Sequence, residues 1–143
     1  MKTTNSATAT YDGLGKSGKG HVKTKSGALD HPYGFNTRFE DKPGTNPEEM
    51  IAAAHASCFT MALSIQLGNA GFEDGHLETT AKVTLEDDPD GGFRISKSAL
   101  TLTGKVAEAD QAKFEELAKK AKEGCPISKL LDCEITLETN FQG

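Results

Sequence analysis

Residues Asn46–Asn69 read NPEEMIAAAHASCFTMALSIQLGN, and this stretch decides the architecture. Asn46 suits an N-cap, Pro47 suits the first helical position, and Glu49 stands three residues past the cap, as a capping box requires. The stretch then runs to about Asn69 in Ala, Leu, Met and Ile without a proline. Gly68 and Gly71 bracket its end. Small apolar residues fall on nearly every face, so this helix is expected at the centre of the molecule. The apolar run from Met50 to Leu67 is broken by His55, Ser57, Thr60, Ser64 and Gln66, which reads as a core helix rather than a membrane span.

Outward from that helix, the N-terminal third reads as β structure. Thr8–Asp12 and His21–Lys25 are strand-like, with the glycine-rich Gly13–Gly20 between them as a turn. Ser26-Gly27 and His31-Pro32 break the chain, and Gly34–Glu40 is expected as a third strand. Beyond the helix, Leu77, Thr79, Ala81, Val83 and Leu85 alternate with polar residues and predict a strand. Asp87–Gly92 (DDPDGG) is a turn, and Phe93–Val106 is the returning strand. Asp110–Glu123 carries the helical stripe Phe114, Leu117, Ala118 and Ala121. Gly124 ends it, Pro126 opens a short helix over Ile127–Leu131, and Glu134–Phe141 is a last strand. The order βββ-α-ββ-α-α-β is an α+β arrangement. The 143 residues are read as one domain, residues 1–143, long enough to bury a core.

Composition narrows the function classes. The net charge of −5 disfavours nucleic acid and anionic membrane as partners. Met1–Thr10 is polar and lacks the apolar stretch of a signal peptide. Three cysteines, Cys58, Cys125 and Cys133, fit a reducing compartment better than a secreted disulfide scaffold, so a cytoplasmic setting is expected.

Two motifs fail on context. Gly13–Gly20 (GLGKSGKG) satisfies G-x-G-x-x-G and nearly a P-loop, but Gly20 replaces the magnesium-holding Ser or Thr, and a strand follows where a helix is needed. His21, His31, His55 and His76 are scattered, with neither CxxC nor HExxH, so no metal site is expected.

Cys58 has two readings, a small buried hydrophobe or a reactive thiol. It lies about eleven residues into its helix, beyond the first turn where the helix dipole acts. Reactivity therefore requires a cation from elsewhere. Only Arg38 and Arg94 are available as arginines, against fourteen lysines. Arg38, in the expected strand before the helix, is the better candidate, although a surface ion pair would also explain it. A guanidinium at about 4 Å supplies roughly 4 kcal/mol at an effective dielectric near 20. Half of that brings a thiol from about 8.5 to near 7.

Glu49 has a structural role as the capping-box carboxylate. Nine residues separate it from Cys58, which is about half a turn around the helix and about 13 Å along it. The two cannot meet on one helix, so a catalytic Glu49 would act across a subunit interface or through Arg38. Cys125, between Gly124 and Pro126, caps the short helix, where unpaired N–H groups favour a thiolate; a buried turn cysteine is the alternative. Cys133 has only Glu134 as a charged neighbour, of the wrong sign, and reads as packing. His55 shares a helix face with Cys58. That permits a Cys–His hydrolase or acyltransferase, but no third residue to orient the imidazole is evident.

Taken together, PYGFNTRF (32–39), GTNPEE (44–49), AAHASCF (53–59) and CPIS (125–128) resemble the OsmC/Ohr family of osmotically inducible and organic hydroperoxide resistance proteins. NTRF and GTNPEE are closer to the osmotically inducible branch. The resemblance implies an intertwined homodimer in which β-sheets surround two long central helices and the active site is shared between subunits. It implies a thiol peroxidase in stress defence, acting on organic hydroperoxides and more weakly on hydrogen peroxide. Cys58 would be the peroxidatic cysteine, Cys125 the resolving one, and Arg38 with Glu49 the activating pair. It implies no cofactor beyond an external dithiol reductant, lipoyl-type or other. Phe35, Phe39, Phe59 and Met61 are candidate pocket-lining residues.

Overall fold

In the computed structural model, which describes all 143 residues, the backbone divides into two compact units, Met1–Met50 and Ile51–Gly143. The first unit is a three-stranded antiparallel sheet in the order β1 (Ala7–Asp12), β2 (Lys19–Thr24), β3 (Asp30–Tyr33). A single short turn, Gly15–Ser17, interrupts the glycine-rich loop between β1 and β2, and β2 follows directly. The loop is a hairpin connection, with Gly13 and Gly15 in the left-handed region that glycine favours.

Two expectations in this unit are corrected. His31-Pro32 does not break the chain; it lies within β3. Proline, lacking an N–H, is tolerated there because β3 is an edge strand. Nor is Gly34–Glu40 a strand. Phe35–Phe39 forms a short helix, α1, because Thr37 closes its start. The Gly34 N–H donates to Thr37 Oγ1 at 2.8 Å, and that hydroxyl donates back to the Gly34 carbonyl at 2.9 Å. Phe35 and Phe39, one turn apart, pack with ring centroids at 4.9 Å.

Val22 is the only buried apolar side chain of this unit, and every residue of β1 is exposed. About fifty residues are too few to bury a core unaided.

The second unit is built around β5 (Phe93–Val106), the middle strand of a sheet ordered β4 (Gly75–Asp87), β5, β6 (Glu134–Phe141). β4 and β5 form the antiparallel hairpin that DDPDGG predicts, with one register shift at Thr84/Leu85. β6 runs parallel to β5. That geometry needs a crossover, supplied by α3 (Gln111–Gly124) and α4 (Pro126–Leu130). Ser98, Leu100, Leu102, Gly104 and Val106 all point inward from β5.

The central helix is α2 (Pro47–Asn69). His55, Phe59, Leu63 and Leu67, spaced four apart, are buried on one face of it. Phe59, Leu63 and Leu67 join Leu100, Leu102 and the α3 stripe of Phe114, Leu117, Ala118 and Ala121 in one core. Gly104 is needed here because a Cβ on it would stand 2.3 Å from the Phe114 ring. The opposite face of α2 is bare, with Met61 62% and Ile65 57% exposed.

Phe114 closes this core and also packs against Phe141 at 4.9 Å. Phe114→Ala is expected to cost about 3–5 kcal/mol, read as a lowered urea midpoint by circular dichroism. A loss under about 1 kcal/mol would show that the core does not turn on this residue.

Candidate active site

Cys58 lies on α2 one residue before Phe59, so it sits beside the buried stripe, partly covered and packed against the core. Cys125 is fully buried at the corner between α3 and α4. Its N–H donates to the Ala121 carbonyl at 2.9 Å, finishing α3. The same residue is the N-cap of α4, with Pro126 opening that helix. Folding of the crossover thus brings a cysteine from the far end of the chain against the middle of α2. The two thiols lie close enough for each to shift the other's ionisation, and all three cysteines are unpaired.

The pair divides its chemistry unequally. Burial pushes the Cys58 thiol up, and the nearby Cys125 thiol pushes the same way; the Ile127 amide opposes them weakly. Burial also resists ionisation of Cys125, but the Cys58 thiol, the Ser128 amide and hydroxyl, and the Ile127 amide together outweigh it and bring Cys125 down. These amides act without closing a capping hydrogen bond. No cation is among the main influences on Cys58, in keeping with its position past the first turn of α2. Cys133 is partly buried and pushed up by burial, with Asp132 and Glu134 adding to the effect against the Ser98 amide.

His55 does not pair with Cys58. Its ring is fully buried between two hydroxyls, with Nδ1 2.6 Å from Ser98 Oγ and Nε2 2.8 Å from Ser128 Oγ. Both ring nitrogens are therefore occupied by serines, and the Cys–His dyad of a hydrolase is not formed. Burial alone accounts for the depressed pKa of the imidazole. Sequence reasoning passed over both serines. Ser98 was detectable as the one hydroxyl on an otherwise apolar inward face of β5, and Ser128 as the third residue past the Cys125 cap.

Within the first unit, Arg38 lies in α1 and is held by a carboxylate, but that of Glu48 rather than Glu49. Its Nε donates to both Glu48 oxygens, at 3.1 and 3.0 Å, and Nη2 donates to Oε1. Glu48 is buried, and its hydrogen bonds keep the guanidinium firmly protonated. Glu49 is exposed. Its N–H takes the Asn46 Oδ1 cap at 2.8 Å. Glu48 wins the arginine because consecutive helical residues point about 100° apart. Tyr11, Lys16, Tyr33, Phe35 and Arg38 line a cleft of about 310 Å³. Of the other expected pocket residues, Phe59 is fully buried in the core, whereas Phe39 and Met61 are exposed. No group of three or more His, Cys, Asp or Glu side chains gathers to hold a metal ion.

The family model for OsmC-like proteins matches residues 39–140. The chain belongs to the OsmC family. It is 53% identical over 131 residues to Peroxiredoxin OsmC of Escherichia coli K12, covering 91% of each protein. It is 36% identical over 112 residues to the organic hydroperoxide resistance protein OhrB of Bacillus subtilis, covering 77% of this chain and 79% of that one. The crystal structure of OhrB superposes with a TM-score of 0.66 at 32% identity over 96% of this chain and 98% of that one. The crystal structure of the organic hydroperoxide resistance protein OsmC from Legionella pneumophila gives a TM-score of 0.70 at 27% identity, covering 99% of this chain and 100% of that one. The α+β fold is thus the OsmC fold, and the higher identity to the Escherichia coli protein agrees with the osmotically inducible branch.

In this OsmC-family chain the buried His55 is expected to mark the pH dependence of stability. Unfolded, it binds a proton near pH 6.5; folded, it resists one. Its contribution is therefore complete above about 6.5 and is lost as pH falls through the lower native value. His55→Gln should be about 1–3 kcal/mol less stable at pH 8, and the gap should narrow as pH drops from 6.5 to 5. Urea midpoints across that range check this; a gap independent of pH would mean that native His55 titrates normally.

Proposed function

We propose that this OsmC-family protein is a thiol-dependent peroxidase that reduces organic hydroperoxides, and hydrogen peroxide more weakly, in stress defence. The observation that carries the reading is that Cys58 packs against the core holding Cys125, near enough for each thiol to shift the other's ionisation, in a chain whose relatives are named for peroxiredoxin activity and organic hydroperoxide resistance. Cys58 thiolate attacks one peroxide oxygen. The O–O bond breaks, Cys58 becomes a sulfenic acid, and the departing alkoxide takes a proton to leave as alcohol. Cys125 then attacks the Cys58 sulfur; the S–S bond forms, the S–O bond breaks, and water departs. An external dithiol, of lipoyl type or another, returns both thiols by exchange. No step needs a metal, haem or flavin. A cycle that ends in free thiols suits the cytoplasm.

No cation is among the main influences on Cys58. The proposed source is the partner subunit's Arg38, in an intertwined homodimer with shared active sites. Three features support the dimer. Met61 and Ile65 leave one face of α2 bare, which a second α2 would cover. The first unit has no adequate core of its own. Finally, α2 is unbroken from Pro47 to Asn69, so about 13 Å of helix rise separates Glu49 from Cys58. Arg38 would stabilise both the thiolate and the charge developing on the leaving oxygen, with Glu48 orienting it. Glu49, exposed on the first turn, is the second carboxylate of the proposed site. The aromatic walls of the Arg38 cleft favour a bulky organic substrate.

One equivalent of cumene hydroperoxide added to reduced protein is expected to give one equivalent of alcohol and a Cys58–Cys125 disulfide by mass spectrometry. Cys58→Ser should abolish turnover, and Cys125→Ser should accumulate sulfenic acid. Oxidation spread over all three cysteines would overturn the reading. Arg38→Met should lower kcat/KM by about a hundredfold or more; Glu48→Gln and Glu49→Gln, measured side by side, decide which carboxylate holds the arginine in the working enzyme. Ile65→Glu should yield monomers by sedimentation and lose activity with them. A fully active monomer would remove the shared site.

A further inference from the structure

The buried polar cluster around His55 belongs to no step described so far. His55 comes from α2, Ser98 from β5 and Ser128 from α4, at 2.6 and 2.8 Å from the two ring nitrogens. Ser128 is three residues past Cys125, the position from which a helical side chain reaches back to the cap, which brings its hydroxyl near enough to the Cys125 sulfur to favour the thiolate. No buried side-chain nitrogen or oxygen lacks a partner.

Hydrogen counting gives these contacts a direction. A neutral imidazole has one N–H and one acceptor nitrogen, and each serine has one proton to give. When Cys125 is a thiolate, Ser128 donates to its sulfur and must accept from His55, so the ring proton is on Nε2. Nδ1 then accepts from Ser98. The protons run Ser98 to His55 to Ser128 to Cys125, all aimed at one sulfur.

We infer that Ser98, His55 and Ser128 form a directional hydrogen-bond chain that readies Cys125 for its attack on the oxidised Cys58, with His55 as the positioning residue that holds the Ser128 hydroxyl toward the sulfur. This rests on the peroxidase reading, in which Cys125 resolves the sulfenic acid. In that step Cys125 gives up its proton, the S–S bond forms, the S–O bond breaks, and the departing hydroxide takes up a proton as water. The chain stabilises the transient thiolate without consuming a proton. His55 suits the task because burial keeps it neutral, so it can donate from one nitrogen and accept at the other.

The groups facing this chain are few. α2 presents Cys58, α4 presents the Ile127 and Ser128 amides, and β5 presents Ser98, whose own amide reaches Cys133. No acidic or basic side chain is among the main influences on Cys125 or His55. Removing one hydroxyl should therefore register directly on the sulfur.

The test has two arms on the full chain. In a Cys58→Ser, Cys133→Ser background, thiolate absorbance at 240 nm is followed against pH. Ser128→Ala should raise the Cys125 midpoint by about one unit, Ser128→Thr should restore it, and His55→Gln or Ser98→Ala should raise it by less. With the native cysteines, one equivalent of cumene hydroperoxide is mixed in, and sulfenic acid is trapped with dimedone at intervals. Ser128→Ala should form the disulfide about tenfold more slowly than the unaltered protein at pH 7, with sulfenic acid accumulating in the interval, and recover as pH rises. An unchanged midpoint together with an unchanged disulfide rate would overturn the inference and leave the serines a structural role. If the unaltered protein forms no Cys58–Cys125 disulfide, the peroxidase reading fails instead, and the titration still decides whether the chain acts on Cys125. The serine variants keep the test open should His55→Gln not fold.

Discussion

A thiol halfway along a 23-residue helix has nothing in that helix to ionise it. Helix-terminal charge fades within a turn, α2 places no cation beside Cys58, and burial works against the thiolate. Its neighbour adds to the difficulty, because two adjacent sulfurs do not both ionise readily. The proximity that would let Cys125 resolve an oxidised Cys58 therefore also favours the protonated form of Cys58. In the proposed chemistry, activation of Cys58 comes from a positive charge outside this cluster.

That requirement ties the chemistry to assembly. The first unit carries the arginine already bound to a buried carboxylate, yet contains one buried apolar side chain. The second unit holds a core and both cysteines of the proposed site, but leaves Met61 and Ile65 of its longest helix exposed. A sheet short of a core and a helix with an uncovered face are complementary deficits. In the proposed dimer, hydrophobic burial at about 25 cal/mol per Å² would drive the association that the catalytic charge requires, so stability and activity would be lost together with the interface.

Most of the fold was legible because its signals are local. The Asn46-Pro47 start, the DDPDGG turn and the period-two pattern of β4 each depend on a few neighbouring residues. The errors fell where short-range chemistry competes with pattern. Gly34–Glu40 follows two strands and reads as a third beside them, but Phe35 and Phe39 stand one helical turn apart and Thr37 bonding back to Gly34 winds the segment into helix. His31-Pro32 reads as a break until the edge position of β3 is known. In the site, both cysteines were identifiable from position and resemblance, whereas the identity of the carboxylate on Arg38 turned on a rotation of about 100° between Glu48 and Glu49. Ser98 and Ser128 escaped for a different reason: they lie 43 and 73 residues from His55, and a one-letter serine does not reveal which core it faces.

The same cluster explains why an imidazole was placed where the stripe otherwise carries Phe59, Leu63 and Leu67. A polar ring buried without partners costs several kcal/mol, and apolar side chains fill the next three positions of that stripe without such a cost. His55 is stabilised only because β5 and α4 each bring a hydroxyl to it, from segments with no other need for one there. A core that only required packing would be simpler with leucine at 55 and alanine at 98. Those two buried departures from apolar packing, met by the half-buried Ser128 hydroxyl, are more economically explained by what the neighbouring sulfur has to do than by the stability of the fold.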